Sequence, residues 1–368
     1  MNEPLSLLEL AAPGVRGLQP YQPGKPLSEL EREYGIRDAV KLASNENPLG
    51  PGKLALAALR DGLAELGRYP DGNGFALKAA LADRHGVGAD QITLGNGSND
   101  VLEFVARVFL RPGREAIFSE HAFAVYPIVT QAVGATAVMT PAVDYGYDLQ
   151  AILARINERT GVVFVANPNN PTGTWLAGAP LREFLDQVPD HVVVVLDEAY
   201  FEYVQEPDYP DTTGWVSDYP NLVVTRTFSK AYGLAGLRIG YGISHPAVAD
   251  LFNRVRQPFN VNALAQAAAE AALSDAEHLR ESVRINREGM VQLTEAFERL
   301  GLAWIPSVAN FVSVDVGRPA GGIYEALLRE GVIVRPVAGY GLPNHLRATI
   351  GLPEENARLI AALERALG

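Results

Sequence analysis

Cysteine is absent from this 368-residue chain, and histidine is scarce. Without cysteine the chain can form no disulfide, no thiolate nucleophile and no cysteine-ligated metal site. The six histidines are scattered and none forms an HExxH pattern, so we expect no catalytic metal. Any covalent chemistry must therefore use other side chains.

The chain also has fewer basic than acidic residues, and it has no long apolar run. Lysine and arginine number 31 against 43 aspartates and glutamates, and the net charge is −12. This argues against a nucleic-acid partner, which needs a basic face, although one cleft could still be basic. No apolar run reaches bilayer length, and the opening MNEPLSLLELAAPG lacks a basic leader and a sustained apolar core. We expect no membrane partner and a cytoplasmic location.

The length and composition favour a folded protein with more than one domain. Apolar residues make up 48% and charged residues 20% of the chain, which is typical of globular proteins. Residues 1–45, with GLQPYQPGKP, predict an extended arm with one short helix that contributes to the small domain and the active site. Residues 46–260 alternate strand and helix patterns and predict a large domain, and residues 261–368 predict a small α+β domain.

The large domain is predicted to be of the α/β class. GVVFVANP, HVVVVLDEAY and NLVVTRTF are continuous β-branched runs, which are typical of strands covered on both faces. Their alternation with helices predicts a mainly parallel sheet between helices, with right-handed crossovers. Ligands of such sheets bind beyond the carboxyl ends of the strands, so the residues there are the candidates for function.

Polar residues follow several of these predicted strands and together suit one cofactor. Lys230 can act as a Schiff-base nucleophile if burial and nearby cations keep it partly neutral. Asp197 can hold a pyridine nitrogen protonated. Glycine before a helix N-terminus, with hydroxyls and an arginine, forms a phosphate site. The residues that would supply this site are Gly97, Ser98, Asn99, Thr227, Ser229 and Arg238.

Each of these residues also has an ordinary structural interpretation. A lone lysine after serine is usually solvated, and an aspartate at a strand end often caps a turn. The segment GNGSND is not a dinucleotide-binding GxGxxG motif, because Asp100 occupies its sixth position. Residues 45–47 are interpreted as a loop without a role. The functional hypothesis rests on Lys230, Asp197 and Arg238 occurring together and in order.

Several motifs carry a resemblance to a known family. DEAY, TFSKAYGLAGLRIGY and NPNNPTG resemble the aspartate-aminotransferase superfamily, whose members have fold type I and bind pyridoxal 5′-phosphate (PLP). SNENPLGP, RYPDG, PYQPG and LRATIG resemble its histidinol-phosphate aminotransferase branch. The resemblance extends over essentially the whole chain. It implies a PLP-binding large domain and a homodimer.

The resemblance also implies roles for residues around the cofactor. Lys230 would form the covalent link and move the proton, and Asp197 would pair with the pyridine nitrogen. Asn170 and Tyr200 would bind the ring oxygen, and Phe123 would stack on the ring. Four side chains would hold the phosphate: Ser98, Asn99, Ser229 and Arg238.

Further residues are implied for the partner subunit and the substrate. Tyr69 of RYPDG would reach the phosphate bound to the neighbouring subunit, which makes the dimer obligatory. Arg347 of LRATIG would bind the anionic group of the substrate, with Arg335 as a second contact. Tyr21 of the arm would line the substrate pocket.

The implied reaction converts L-histidinol phosphate and 2-oxoglutarate to imidazole-acetol phosphate and L-glutamate, but alternatives remain. Many relatives with this activity have tyrosines where this chain has Phe123 and Phe259, so an aromatic-amino-acid aminotransferase is the main alternative. A phosphothreonine decarboxylase is more distant. A PLP-binding regulator is disfavoured, because no DNA-binding module is recognisable.

Overall fold

The computed structural model describes residues 7–368 and contains fourteen α-helices within them. The α-helices are α1 (Leu7–Leu10), α2 (Pro13–Arg16), α3 (Leu27–Tyr34), α4 (Lys53–Gly62), α5 (Phe75–His85), α6 (Ser98–Phe109), α7 (Val125–Ala132), α8 (Leu149–Leu153), α9 (Gly178–Gln187), α10 (Pro246–Val255), α11 (Ala263–Leu273), α12 (Ala276–Arg299), α13 (Gly321–Arg329) and α14 (Pro353–Leu367). Short 3₁₀ helices span Leu63–Glu65, Ala89–Gln91, Phe201–Tyr203, Thr213–Ser217, Ala235–Leu237 and Ala338–Tyr340. No helix in this described part is long and apolar enough to cross a membrane.

The strands of the described chain form one large sheet, one smaller sheet and two short pairs. They are β1 (Val40–Lys41), β2 (Ile92–Gly95), β3 (Glu115–Ser119), β4 (Thr136–Thr140), β5 (Ala142–Val143), β6 (Gly146–Tyr147), β7 (Thr160–Ala166), β8 (Val193–Asp197), β9 (Leu222–Thr227), β10 (Gly240–Ser244), β11 (Ala303–Ile305), β12 (Phe311–Asp315), β13 (Val332–Ile333), β14 (Arg335–Pro336) and β15 (His345–Thr349).

The large sheet has seven strands in the order β2-β10-β9-β8-β7-β3-β4. Neighbours from β9 to β4 pair in parallel, and β10 alone runs antiparallel to both of its neighbours. The central strands β7, β8 and β9 are buried along their whole lengths, because helices cover both faces and valine-rich strands suit that environment. The predicted α/β fold with a mainly parallel sheet is confirmed.

The small domain contains an antiparallel sheet of order β11-β12-β15-β14. Apolar residues of α12, α13 and α14 pack against this sheet in a separate core, with Leu293, Phe297 and Leu359 at most 2% exposed. The pairing of β1 with β13 connects the chain before the large domain to this part of the fold. The end of the arm is therefore attached to the small domain.

The structure adds two details to the expected outline of the chain. The arm contains three helices within its described residues rather than one, because Pro13 starts α2 and Gly35, at φ 72°, ends α3. The alanines of α11 belong to the core of the large sheet, with Ala265, Ala268 and Ala269 fully buried there. Within α12 the packing changes from the large core, which includes Leu279, to the small core, which includes Met290, and the division at residue 261 stays a prediction.

Candidate active site

A cavity of about 360 Å³ lies at the carboxyl edge of the large sheet, facing the small domain. Strands β8 and β9 end at it, and α6 begins at it. The turns that follow β2 and β7 also line the cavity. This is the expected position of a ligand site in a parallel sheet. Of the residues predicted for the site, those that line the cavity are Tyr21, Gly97, Ser98, Asn99, Phe123, Asn170, Asp197, Tyr200, Thr227, Ser229, Lys230, Arg238, Arg335 and Arg347.

Lys230 follows β9 and places its amine in the cavity. Its Nζ donates to the backbone carbonyl of Ser44 at 3.2 Å and lies 5.6 Å from the centre of the Tyr200 ring. Burial, followed by the nearby cations of Arg347 and Arg238, lowers the pKa of Lys230 to about 7. A substantial part of this amine is therefore neutral at physiological pH, which a carbonyl-attacking lysine requires.

Asp197 is the last residue of β8 and is almost completely buried. Its Oδ2 accepts a hydrogen bond from the Tyr126 hydroxyl at 2.9 Å, and its Oδ1 accepts one from Thr225 at 3.1 Å. Burial raises the pKa of Asp197 although both hydrogen bonds lower it. A cationic N–H placed against this carboxylate would offset the cost of its burial, so the site suits a protonated ring nitrogen.

The N-terminus of α6 and Arg238 together form a cradle of hydrogen-bond donors. Gly97 precedes the helix at φ 82°, and a Cβ there would lie 2.6 Å from the Arg238 Nη2 atom. Only glycine lets the guanidinium approach the free N–H groups at this helix end. The Thr227 and Ser229 hydroxyls are 3.0 Å apart at the same place. The donor set therefore fits a phosphate group.

Two arginines line the side of the cavity formed by the small domain. Arg347 of β15 donates to the Asn170 side chain and, at 2.8 Å, to the Ala43 carbonyl. Its Nε is buried without a partner in the described chain, and burial lowers its pKa. Arg335 of β14 donates to a carbonyl of the arm, and its guanidinium lies 5.6 Å from the Tyr21 ring centre. This side of the cavity suits an anionic substrate group.

Tyr69 is the one predicted site residue that lies outside the cavity. Its side chain is 82% exposed and stacks on Phe259, with the ring centres 4.7 Å apart. Phe259 has a positive φ of 58°, which is unusual for an aromatic residue. Within one chain Tyr69 does not reach the other site residues, so its contact with a partner subunit stays a prediction.

Two residues of the site were missed by the sequence analysis. Tyr126 holds Asp197, and Asn45 donates from its Nδ2 to the Tyr200 hydroxyl at 2.9 Å. The sequence alone predicts a loop without a role at Asn45, although this residue stands within the SNENPLGP motif. Tyr126 stands three residues after Phe123, and only its place in the helical repeat of α7 could have indicated that it faces the site.

Comparison with known sequences identifies the family of this chain. Residues 37–363 match the model of the family "Aminotransferase class I and II". The chain is 65% identical over 362 residues to histidinol-phosphate aminotransferase 2 of Pseudomonas fluorescens, covering 98% of each protein. It is 62% identical over 359 residues to histidinol-phosphate aminotransferase 1 of Nitrosococcus oceani, covering 98% of this chain and 97% of that protein.

Comparison with solved structures identifies a similar fold that holds a cofactor. The crystal structure of histidinol-phosphate aminotransferase from Sinorhizobium meliloti, in complex with pyridoxal-5′-phosphate, aligns with a TM-score of 0.89 at 31% sequence identity. The alignment covers 97% of each chain. The likeness therefore includes both the large sheet and the small domain.

Proposed function

We infer the reaction from one premise: the chain belongs to the class I and II aminotransferase family and, within it, to the histidinol-phosphate aminotransferases. We propose that it is a PLP-dependent transaminase that moves the amino group of L-histidinol phosphate to 2-oxoglutarate. The products are imidazole-acetol phosphate and L-glutamate. The reaction is a step of histidine biosynthesis.

The observation that carries the proposal is the meeting of Lys230, Asp197 and Arg347 in one cavity. These residues belong to segments far apart in sequence, and the cavity adds a phosphate cradle at the start of α6. A pyridine ring with a phosphate has chemical partners at each end of this arrangement. When bound, PLP would supply an electron-withdrawing ring conjugated to the carbon that loses its proton.

The side chains of the cavity divide the work of binding. Asp197 would hold the ring nitrogen in its protonated form, and Arg238 with Ser98 and Ser229 would hold the phosphate. Asn170 and Tyr200 would orient the ring from the side of its oxygen. Together these contacts would hold the ring in one orientation beside Lys230.

Lys230 would carry the proton of the reaction on its Nζ. With a pKa near 7 the amine can accept a proton from the substrate carbon and return it without a large energetic cost in either direction. Arg347 and Arg238 help to lower that pKa, so residues that bind anions also adjust the base. We assign Lys230 as the catalytic residue.

Two anionic substrates must use the same side of the cavity in alternate half-reactions. Arg347 and Arg335 present planar guanidinium groups, which bind either a carboxylate or a phosphate. Tyr21 lies against Arg335 at the same place. We propose that the phosphate of histidinol phosphate and the carboxylates of 2-oxoglutarate alternate at these arginines.

The proposal includes a homodimer and a cytoplasmic location. Tyr69 is exposed and lies outside the cavity of its own chain, which leaves its hydroxyl available to the phosphate cradle of a second copy. We propose that each site of the dimer takes one tyrosine from the partner. Small molecules are the substrates, and neither nucleic acid nor a membrane is part of the proposal.

The alternative is an aromatic-amino-acid aminotransferase, and one observation favours it. Phe123 lines the cavity without the hydroxyl that a tyrosine would offer to a polar substrate. The test is a comparison of kcat/KM for histidinol phosphate and phenylalanine as amino donors, with 2-oxoglutarate as acceptor. We expect histidinol phosphate to have the higher value. A higher value for phenylalanine would replace the proposed reaction with the alternative.

A further inference from the structure

Asn45 occupies a position where its hydrogen bonds connect the small domain to the cavity. It is 1% exposed and has a positive φ of 56°, which asparagine tolerates better than most residues. Its carbonyl accepts from Asn310 at 3.0 Å, and its backbone N–H donates to the Thr349 hydroxyl at 2.9 Å. Its side chain lies between Thr349 and Tyr200. Hydrogen bonds therefore fix both the backbone and the side chain of Asn45.

The direction of each hydrogen bond in this group follows from the donors and acceptors that are available. The two ends of an amide have almost the same shape, so its partners must decide its orientation. The backbone N–H of Asn45 can only donate, so the Thr349 oxygen must accept from it. The Thr349 hydroxyl has one acceptor for its own proton among the described residues, the Asn45 Oδ1 at 3.2 Å. The Nδ2 end must therefore face Tyr200 and donate to its hydroxyl oxygen at 2.9 Å.

The Tyr200 hydroxyl is left with one proton to give. Burial raises the pKa of Tyr200 to about 12, so the phenol keeps this proton at neutral pH. The hydroxyl has no acceptor among residues 7–368, and Tyr200 lines the cavity. Since Asn45 occupies the oxygen as a donor, the phenol proton is free to be directed into the cavity.

We propose that Asn45 is a positioning residue that, through a hydrogen-bond chain starting at Thr349, makes Tyr200 a donor to the cofactor's ring oxygen. This inference rests on the proposed function, because it needs PLP in the cavity. Asn45 does not touch the reacting carbon in this account. It acts by preventing Tyr200 from turning its proton away from the ring.

The decisive variant reverses the hydrogen bond without changing the shape of the side chain. In Asn45→Asp, the backbone conformation is still tolerated, but the carboxylate offers acceptors and no donor. The Tyr200 hydroxyl would then donate its proton to this carboxylate, and the proton would no longer be available to a ligand in the cavity. Thr349→Val removes the hydroxyl group with which the hydrogen-bond chain begins. Thr349→Ser is its matched control, because serine keeps that hydroxyl.

The first readout is cofactor affinity, measured by titrating each apoprotein with PLP and following protein fluorescence. Loss of one hydrogen bond to an ionised ring oxygen should raise the dissociation constant by roughly tenfold or more in Asn45→Asp and Thr349→Val. Thr349→Ser should bind PLP as the unmodified chain does. Thermal unfolding of the apoproteins tests whether each variant is folded.

The second readout is the pH at which the visible absorption of the bound cofactor changes. A donor on the ring oxygen stabilises its anion, and so lowers the pH at which the Lys230 nitrogen linked to the ring loses its proton. We expect this pH to rise by roughly one unit in Asn45→Asp and Thr349→Val. It should stay unchanged in Thr349→Ser.

The outcomes separate this inference from the proposed function. If the folded Asn45→Asp protein shows the affinity and the spectroscopic pH of the unmodified chain, Asn45 has no positioning role. Equal shifts in Thr349→Ser and Thr349→Val would also overturn the hydrogen-bond chain. If the unmodified chain develops no visible band with PLP, the proposed function fails first, and the inference falls with it.

Discussion

The hydroxyl of Tyr126 provides a sharp test of how the site holds its cofactor. Tyr126 is fully buried and donates to the Asp197 Oδ2 at 2.9 Å. In Tyr126→Phe this carboxylate loses one of its two side-chain donors, while Thr225 remains. A buried hydrogen bond to a charged acceptor contributes about 1.5–3 kcal/mol. The pKa of Asp197, already raised by burial, should rise further by about one unit or more.

As a consequence, Tyr126→Phe should bind PLP with lower affinity and with a stronger dependence on pH. In the proposed site the pyridine nitrogen of PLP pairs with the ionised form of Asp197, so PLP affinity should fall as pH drops through the pKa of this carboxyl group. In Tyr126→Phe the fall should begin at a higher pH. At neutral pH we expect the dissociation constant for PLP to increase about 10- to 100-fold. The assay is titration of the apoprotein with PLP across a pH series.

Tyr147→Phe is the matched control for this experiment. Tyr147 is also buried, and its hydroxyl accepts from the backbone N–H of Ala166 at 3.0 Å without touching Asp197. Both variants lose one buried phenol hydroxyl, so a general loss of stability should affect them similarly. If Tyr126→Phe binds PLP as Tyr147→Phe does at every pH, the reasoning about Asp197 is wrong.

Three further predictions follow from the charges and exposure of the site. The pKa of Lys230 is lowered to about 7 in the fold, so the unfolded chain binds more protons above that pH and stability rises with pH. Lys230→Met should therefore stabilise the apoprotein most at pH 7 and below, and thermal unfolding that shows the same gain at pH 10 would contradict this. Arg347→Lys should lower kcat/KM for both substrates about 10- to 100-fold, because ammonium cannot reproduce the planar fork; unchanged kinetics would remove Arg347 from the substrate site. Mixing inactive Tyr69→Ala and Lys230→Ala chains should restore activity in mixed dimers, and no recovery would rule out a role of Tyr69 in the partner's site.

The part of the site that could be predicted from sequence is the part that follows strand ends. Asp197 is the last residue of the valine-rich strand β8, and Lys230 follows β9 by three residues. Parallel strands bring their carboxyl ends to one edge of the sheet. Local sequence therefore indicates their neighbourhood without knowledge of the whole fold. The resemblance to a known family supplied the rest, including the arginines of the small domain.

The residues that were missed depend on contacts between distant parts of the chain. Tyr126 and Asp197 are 71 residues apart, and Asn45 and Tyr200 are 155 residues apart. No periodic pattern indicates that such side chains meet. The core to which α11 belongs is also undetermined by its sequence, because an alanine-rich helix packs equally well against either domain. Tertiary packing determines both these long-range contacts and the core to which α11 belongs.

The central claim is that Lys230 carries the cofactor, and chemical trapping tests it most directly. The chain has five lysines, Lys25, Lys41, Lys53, Lys78 and Lys230, of which burial lowers the pKa of Lys78 as well as Lys230. The protein would be incubated with PLP, reduced with borohydride and digested, and the modified peptide identified by mass spectrometry. The account predicts the label on Lys230, in the peptide containing TFSKAYG. A label on Lys78 or another lysine, with Lys230 unmodified, would contradict it.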